Sequence, residues 1–137
     1  MEFVLKPRQR IKAFFKEGKP SLILKLNFLY LECENEKSAL RFNAFYEAVI
    51  FEYISSAERF SANIEKPERP ISFSVECEQK SSPDSFVSIV RRHKIRFPDG
   101  KILCGEDADV FDLKTGFLIK EKLLKRIVKK RKKAEGA

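Results

Sequence analysis

A chain of 137 residues that is 43% hydrophobic and 35% charged is long enough for one domain with a single core, and too apolar to remain disordered. Its net charge of +8 sits at the ends: residues 1–20 carry six Lys/Arg against two Glu, residues 120–137 carry nine against two, and the middle is acidic by three. Cys33, Cys77 and Cys104 are widely spaced with no CxxC pair and His93 is the only histidine, which argues against a structural zinc site and for reduced thiols in a cytoplasmic protein. No stretch approaches 20 apolar residues, so neither a membrane span nor the apolar core of a signal peptide is expected.

In chain order, Phe3 to Glu17 places Ile11, Phe14 and Phe15 among basic residues and ends at Gly18-Lys19-Pro20, which reads as a short basic helix or edge strand before a turn. Ser21 to Cys33 alternates Leu22, Leu24, Leu26, Phe28 and Tyr30 with a mixed second face, the pattern of a long strand covered on both sides. Asn35 or Ser38 can accept the first free N–H groups of a helix. Phe42, Phe45, Val49 and Tyr53 then recur at three- and four-residue spacing over Ser38–Phe60, an apolar stripe that must lie on a sheet or another helix.

Beyond Pro67 and Pro70, Ile71, Phe73, Val75 and Cys77 alternate with polar residues in a strand with one wet face. A Ser81–Asp84 turn leads to an antiparallel neighbour over Phe86–Phe97, and Pro98-Asp99-Gly100 supplies a second turn into a strand over Lys101–Phe111. Lys114-Thr115-Gly116 closes a third turn before a short strand, Phe117–Ile119. Leu123, Leu124, Ile127 and Val128 mark a last helix, followed by Lys129, Lys130, Arg131, Lys132 and Lys133. The expected fold is α+β: an antiparallel sheet of four or five strands with one long helix packed across a face and a C-terminal helix, forming a single domain over residues 1–128 with a disordered basic tail over 129–137.

Catalytic chemistry lacks its residue supply. His93 lies in the run Arg91-Arg92-His93-Lys94 with no carboxylate beside it in sequence, and is expected at a solvent-facing strand position. No nucleotide, zinc-protease or hydrolase motif is present, so neither an enzyme nor a bound cofactor is expected. Glu106, Asp107, Asp109 and Asp112 miss the spacing of a calcium loop and read instead as cross-strand partners of the preceding basic strand. For binding, Arg91, Arg92, Lys94 and Arg96 make a basic stripe near Phe86 and Phe97, and Lys129, Lys130, Arg131, Lys132 and Lys133 could add phosphate contacts. A protein partner is the first expectation, nucleic acid or another anionic surface met by the basic termini the alternative; Phe-rich strands could equally form a homodimer.

Three segments carry a resemblance: Asn43-Ala44-Phe45-Tyr46, Ser85-Phe86-Val87-Ser88-Ile89 and Phe111-Asp112-Leu113-Lys114-Thr115-Gly116. With the order strand, helix, strand meander, the chain from about Leu22 to Leu124 resembles a bacterial family of domains of unknown function. That family is represented in the extracytoplasmic part of the anti-sigma factor RsiV and beside the catalytic domain of the peptidoglycan deacetylase PdaC. The resemblance implies a non-catalytic recognition or accessory module and assigns no residue a role. The chain departs from the family where Ile95-Arg96-Phe97-Pro98-Asp99-Gly100-Lys101 replaces a glycine- and alanine-rich stretch.

Overall fold

The computed structural model describes residues 3–64, 69–80 and 85–119. Six strands, β1 (Phe3–Lys16), β2 (Lys19–Cys33), β3 (Ile71–Lys80), β4 (Phe86–Arg96), β5 (Ile102–Asp112) and β6 (Phe117–Ile119), form one sheet in sequential order. One helix, α1 (Glu36–Asn63), joins β2 to β3.

The basic N-terminal segment is a full edge strand. β1 pairs antiparallel with β2 from Phe3↔Cys33 to Lys16↔Lys19, with a register shift between Phe14 and Phe15. The connecting Glu17-Gly18 has φ of 52° and 78°, the two positive values that a tight hairpin needs to follow the strand twist. Most of the strand's charges are partnered: Lys6 pairs with Glu32 at 2.8 Å, Arg8 and Arg10 both pair with Glu47 on α1, and Lys16 Nζ donates to the carbonyls of Ala62 and Ile64, where α1 ends without a basic residue of its own.

Two expectations are corrected. The sheet has six strands rather than four or five, and it is mixed rather than antiparallel, because β2 and β3 run parallel from Leu22↔Ile71 to Asn27↔Glu76. The physical reason is the 28-residue helix between them: a crossover that long carries the chain back along the sheet, so the next strand starts at the same end as the last. The expected C-terminal helix over Leu123–Val128, the basic tail, the Ser81–Asp84 turn and Pro67 lie outside the described residues.

The core lies between α1 and one face of the sheet. Leu22, Leu24, Leu26 and Phe28 of β2, Ile71, Phe73 and Val75 of β3, Val87, Ile89 and Ile95 of β4 and Phe111 of β5 meet Phe42, Tyr46, Val49, Ile50 and Ala57 of α1. Phe42, Phe45 and Tyr46 surround Phe111 with ring centroids 4.5, 5.4 and 5.5 Å away, so the first half of the helix is pinned over β5 by aromatic contacts. Asn35 caps the helix by accepting from Ser38 N at 3.3 Å. β3 pairs with β2 only as far as Asn27, and beyond it Asn43 takes the missing strand's place: its carboxamide accepts from Leu31 N at 2.7 Å and donates to Leu31 O at 3.1 Å.

Candidate functional site

Alternation along β4 divides the basic run between the two faces of the sheet. Arg91 points to the α1 side. Its Nε and Nη2 donate to the two oxygens of Asp109 at 2.7 and 3.3 Å, its Nη1 donates to Tyr53 Oη at 3.2 Å, and Tyr46 Oη donates to Asp109 Oδ2 at 3.0 Å. The arginine and aspartate side chains are only 14% and 7% exposed, so this is a forked ion pair in a largely dry place with its remaining hydrogen bonds supplied by two helix tyrosines. Burial, reinforced by the charge of Asp109, holds the Tyr46 phenol far above its ordinary value, and burial likewise raises Tyr53 and pushes the neighbouring Cys77 thiol up to about 12. Each group is thereby locked in one protonation state near neutrality. The cluster ties α1 to β4 and β5 rather than presenting a reactive group.

Between the expected solvent-facing position and the observed one, His93 differs. It shares the α1 side of β4 with Arg91, its ring lies where a Cβ on Gly105 would stand, 2.2 Å from Cε1, and its Nδ1 is buried with no hydrogen-bond partner among the described residues. Gly105 is opposite it in register, and only a residue without a side chain leaves room for the ring.

The face away from α1 carries Arg92, Lys94 and Arg96, which are exposed, whereas Phe86 and Val90 farther along the same side of β4 are buried. Arg92 lies between two acids, 2.6 Å from Glu78 and 3.2 Å from Glu106, and the bond to Arg92 and then that to Lys80 hold Glu78 below the usual carboxylate range. Of the four acidic residues, Asp109 on one face and Glu106 on the other pair with the preceding basic strand, whereas Asp107 and Asp112 enter no ion pair among the described residues. Around Arg92 and Lys94 lies a shallow concavity of about 660 Å³, bordered by Ser74, Glu76, His93, Cys104, Gly105 and Glu106. A smaller hollow of about 190 Å³ adjoins it between Ser72, Ser74, Lys94 and Arg96. Of the aromatics expected beside the basic stripe, Phe86 is buried at 7% exposure, so it offers no stacking surface. The tail lysines and Arg131 lie outside the described residues.

The three segments that carried the sequence resemblance converge at the other end of the sheet. Leu113 N donates to Ser85 O at 2.9 Å, Asp112 accepts from Lys114 N at 3.0 Å within its own turn, and Ser38 Oγ at the start of α1 donates to Lys114 O at 2.7 Å. Gly116 has φ of 78° and sits so close to Ser38 that an added Cβ would lie 2.1 Å from its carbonyl oxygen. Asn43 and Tyr46 act as described above. These segments build the fold's joints.

No protein-family model matches the sequence, and no curated protein does. A solved structure does share the fold. A DUF3298 family protein from Pseudomonas aeruginosa PAO1 superposes with a TM-score of 0.54 at 10% sequence identity over 86% of this chain. A DUF3298 family member from Bacteroides fragilis NCTC 9343 aligns over 87% of this chain at 14% identity with a TM-score of 0.48. This chain spans 54% and 58% of those two proteins' lengths. The likeness to the first is one of fold alone. Among the described residues no helix is long and apolar enough to cross a membrane.

Proposed function

We propose that the chain is a non-catalytic binding or regulatory domain that recognises a protein partner through the Lys94–Arg96 end of the sheet face turned away from α1. The observation that carries this reading is the division of polar groups between the two faces. On the α1 side the ionisable groups Arg91, Asp109, Tyr46 and Tyr53 satisfy one another, whereas the opposite face sets Ser74, Glu76, Arg92 and Lys94 around an open concavity. The sequence resemblance to the accessory and ligand-binding domains of RsiV and PdaC supports the same role, and the fold likeness to DUF3298 proteins accords with it. Three free cysteines, Cys104 exposed among them, favour a reducing compartment such as the cytoplasm.

The test puts a photo-reactive side chain in the full chain either at Ser74, on the open face, or at Leu40, 70% exposed on the outer side of α1, and irradiates it in lysate of its own cell. The expected result is a discrete protein adduct from position 74 alone, competed by excess unmodified chain but not by a Ser74→Trp chain. Adducts from position 40 alone, or equally from both, overturn the reading.

A further inference from the structure

Resting on the binding role of this face, we propose that Ser72, Ser74, Lys94 and Arg96, flanked by Lys25, seat two carboxylates of an extended acidic peptide segment of the partner. The register sets the seat out in two rows across the sheet. Ile23, Ser72, Arg96 and Ile102 are neighbours on successive strands, and so are Lys25, Ser74, Lys94 and Cys104. The two serines and two cations of β3 and β4 line the 190 Å³ hollow.

On the face of β2–β4 away from α1, these are the described cations without a carboxylate of their own. Arg92, one row away, is neutralised by Glu78 and Glu106, and Arg8, Arg10 and Arg91 are paired elsewhere. Lys25, Lys94 and Arg96 enter no ion pair among the described residues, although all three are exposed. The Ser72 and Ser74 hydroxyls likewise have no protein partner among the described residues and can donate to an incoming anion. Along β4, Lys94 and Arg96 stand about 7 Å apart, two residues at roughly 3.3 Å each, which is also the separation of alternate side chains on an extended peptide. Carboxylates at alternate positions therefore meet the two cations in step.

The surroundings set the class of occupant. The next row holds Glu76 opposite Arg92 and Glu106, so the unpaired positive charge ends after two rows and a long polyanion would run onto acids. The neighbours in register at the ends of the two rows are aliphatic or sulfur-bearing, Ile23, Ile102 and Cys104, and none is an aromatic platform for a nucleobase.

The full chain, labelled with nitrogen-15, is titrated with the end-blocked hexapeptide Glu-Thr-Glu-Thr-Glu-Thr, its Gln-for-Glu counterpart, inorganic phosphate and a six-residue oligothymidylate. The expected result is saturable amide shifts at residues 72–74 and 94–96 with the Glu peptide and not the Gln one. Affinity should fall about tenfold in the Lys94→Gln/Arg96→Gln chain and stay unchanged in Lys114→Gln, an exposed cation on the β5–β6 turn. Shifts lying elsewhere, no saturable shift, or equal loss in Lys114→Gln would overturn the proposal. Phosphate matching the peptide would reduce the seat to a single-anion site, and tighter binding of the oligothymidylate at the same residues would replace the peptide by nucleic acid; either outcome overturns it. The position-74 adduct separates the two readings: its persistence in the Lys94→Gln/Arg96→Gln chain leaves the face as the binding surface and removes only the acidic occupant.

Discussion

Asp109 and Arg91 depend on each other in a way that neither depends on water. Removing the carboxylate leaves a guanidinium 14% exposed with no counter-charge and the Tyr46 hydroxyl without its acceptor. Asp109→Ala should therefore cost about 3–5 kcal/mol, while Arg91→Met/Asp109→Leu, which removes both charges and keeps volume, should cost much less. Urea midpoints of the two variants check this, and a loss under about 1 kcal/mol for Asp109→Ala would show the pair to be better hydrated than the structure has it. The sequence suggested that carboxylates of β5 pair with bases of β4, because charges of opposite sign alternate on neighbouring strands. It did not reveal which base is buried. Arg91 and Arg92 are adjacent and chemically identical, and only the position of α1 sends one into the core margin and the other to the open face.

At the scale of elements, α1 meets the rest of the fold at its two ends. Its start rests on the β5–β6 turn through Ser38 and Gly116, and its close is held by Lys16 of β1. Gly116→Ala must both hold a side chain at φ 78° and push back the Ser38 carbonyl, so it should cost clearly more than Gly100→Ala. Gly100 has φ of 90° but nothing within 4 Å of its added Cβ, and it should lose only the about 1–2 kcal/mol of the left-handed backbone. Thermal midpoints of the two chains give the comparison, and equal losses would mean that the helix start yields to the turn. α1 and β6 were legible because the three- and four-residue spacing of Phe42, Phe45 and Val49 and the Lys114-Thr115-Gly116 turn are local signals. β1 was only half legible. Lys6, Arg8, Arg10 and Lys12 alternate as a strand should, but they put charge where an amphipathic strand has apolar residues, and the reason for Arg8 and Arg10 is Glu47 on a helix more than thirty residues away.

Taken whole, the fold buries three groups that hold their protons. Cys77, raised to about 12 by burial, and Tyr46 and Tyr53, raised by burial first, keep their protons in the fold after the unfolded chain has begun to lose them. A raised acid of this kind contributes stability that is intact below its unfolded value and drains as pH rises toward its folded one. The urea midpoint should thus be flat up to about pH 8.5 and then fall from about pH 9, each group adding at most about 1.4 kcal/mol per pH unit. Cys77→Ala should move the onset toward pH 10, where tyrosines begin to titrate; an unchanged onset would clear the thiol of any part in it. The mixed topology is the one large-scale feature the local patterns did not carry. A strand, a long helix and another strand imply a parallel pair only when the helix is read as a crossover instead of as a cover.

The amide of Asn43 has a meaning beyond the bond count at Leu31. A 15-residue strand paired on one side by β1 and on the other only through Asn27 would leave a length of bare, apolar backbone able to recruit the same strand from another molecule. By occupying the N–H and C=O of Leu31, a single carboxamide carried in by the helix closes that stretch to a second chain, so the protein's colloidal behaviour at high concentration rests on one side chain that touches no ligand.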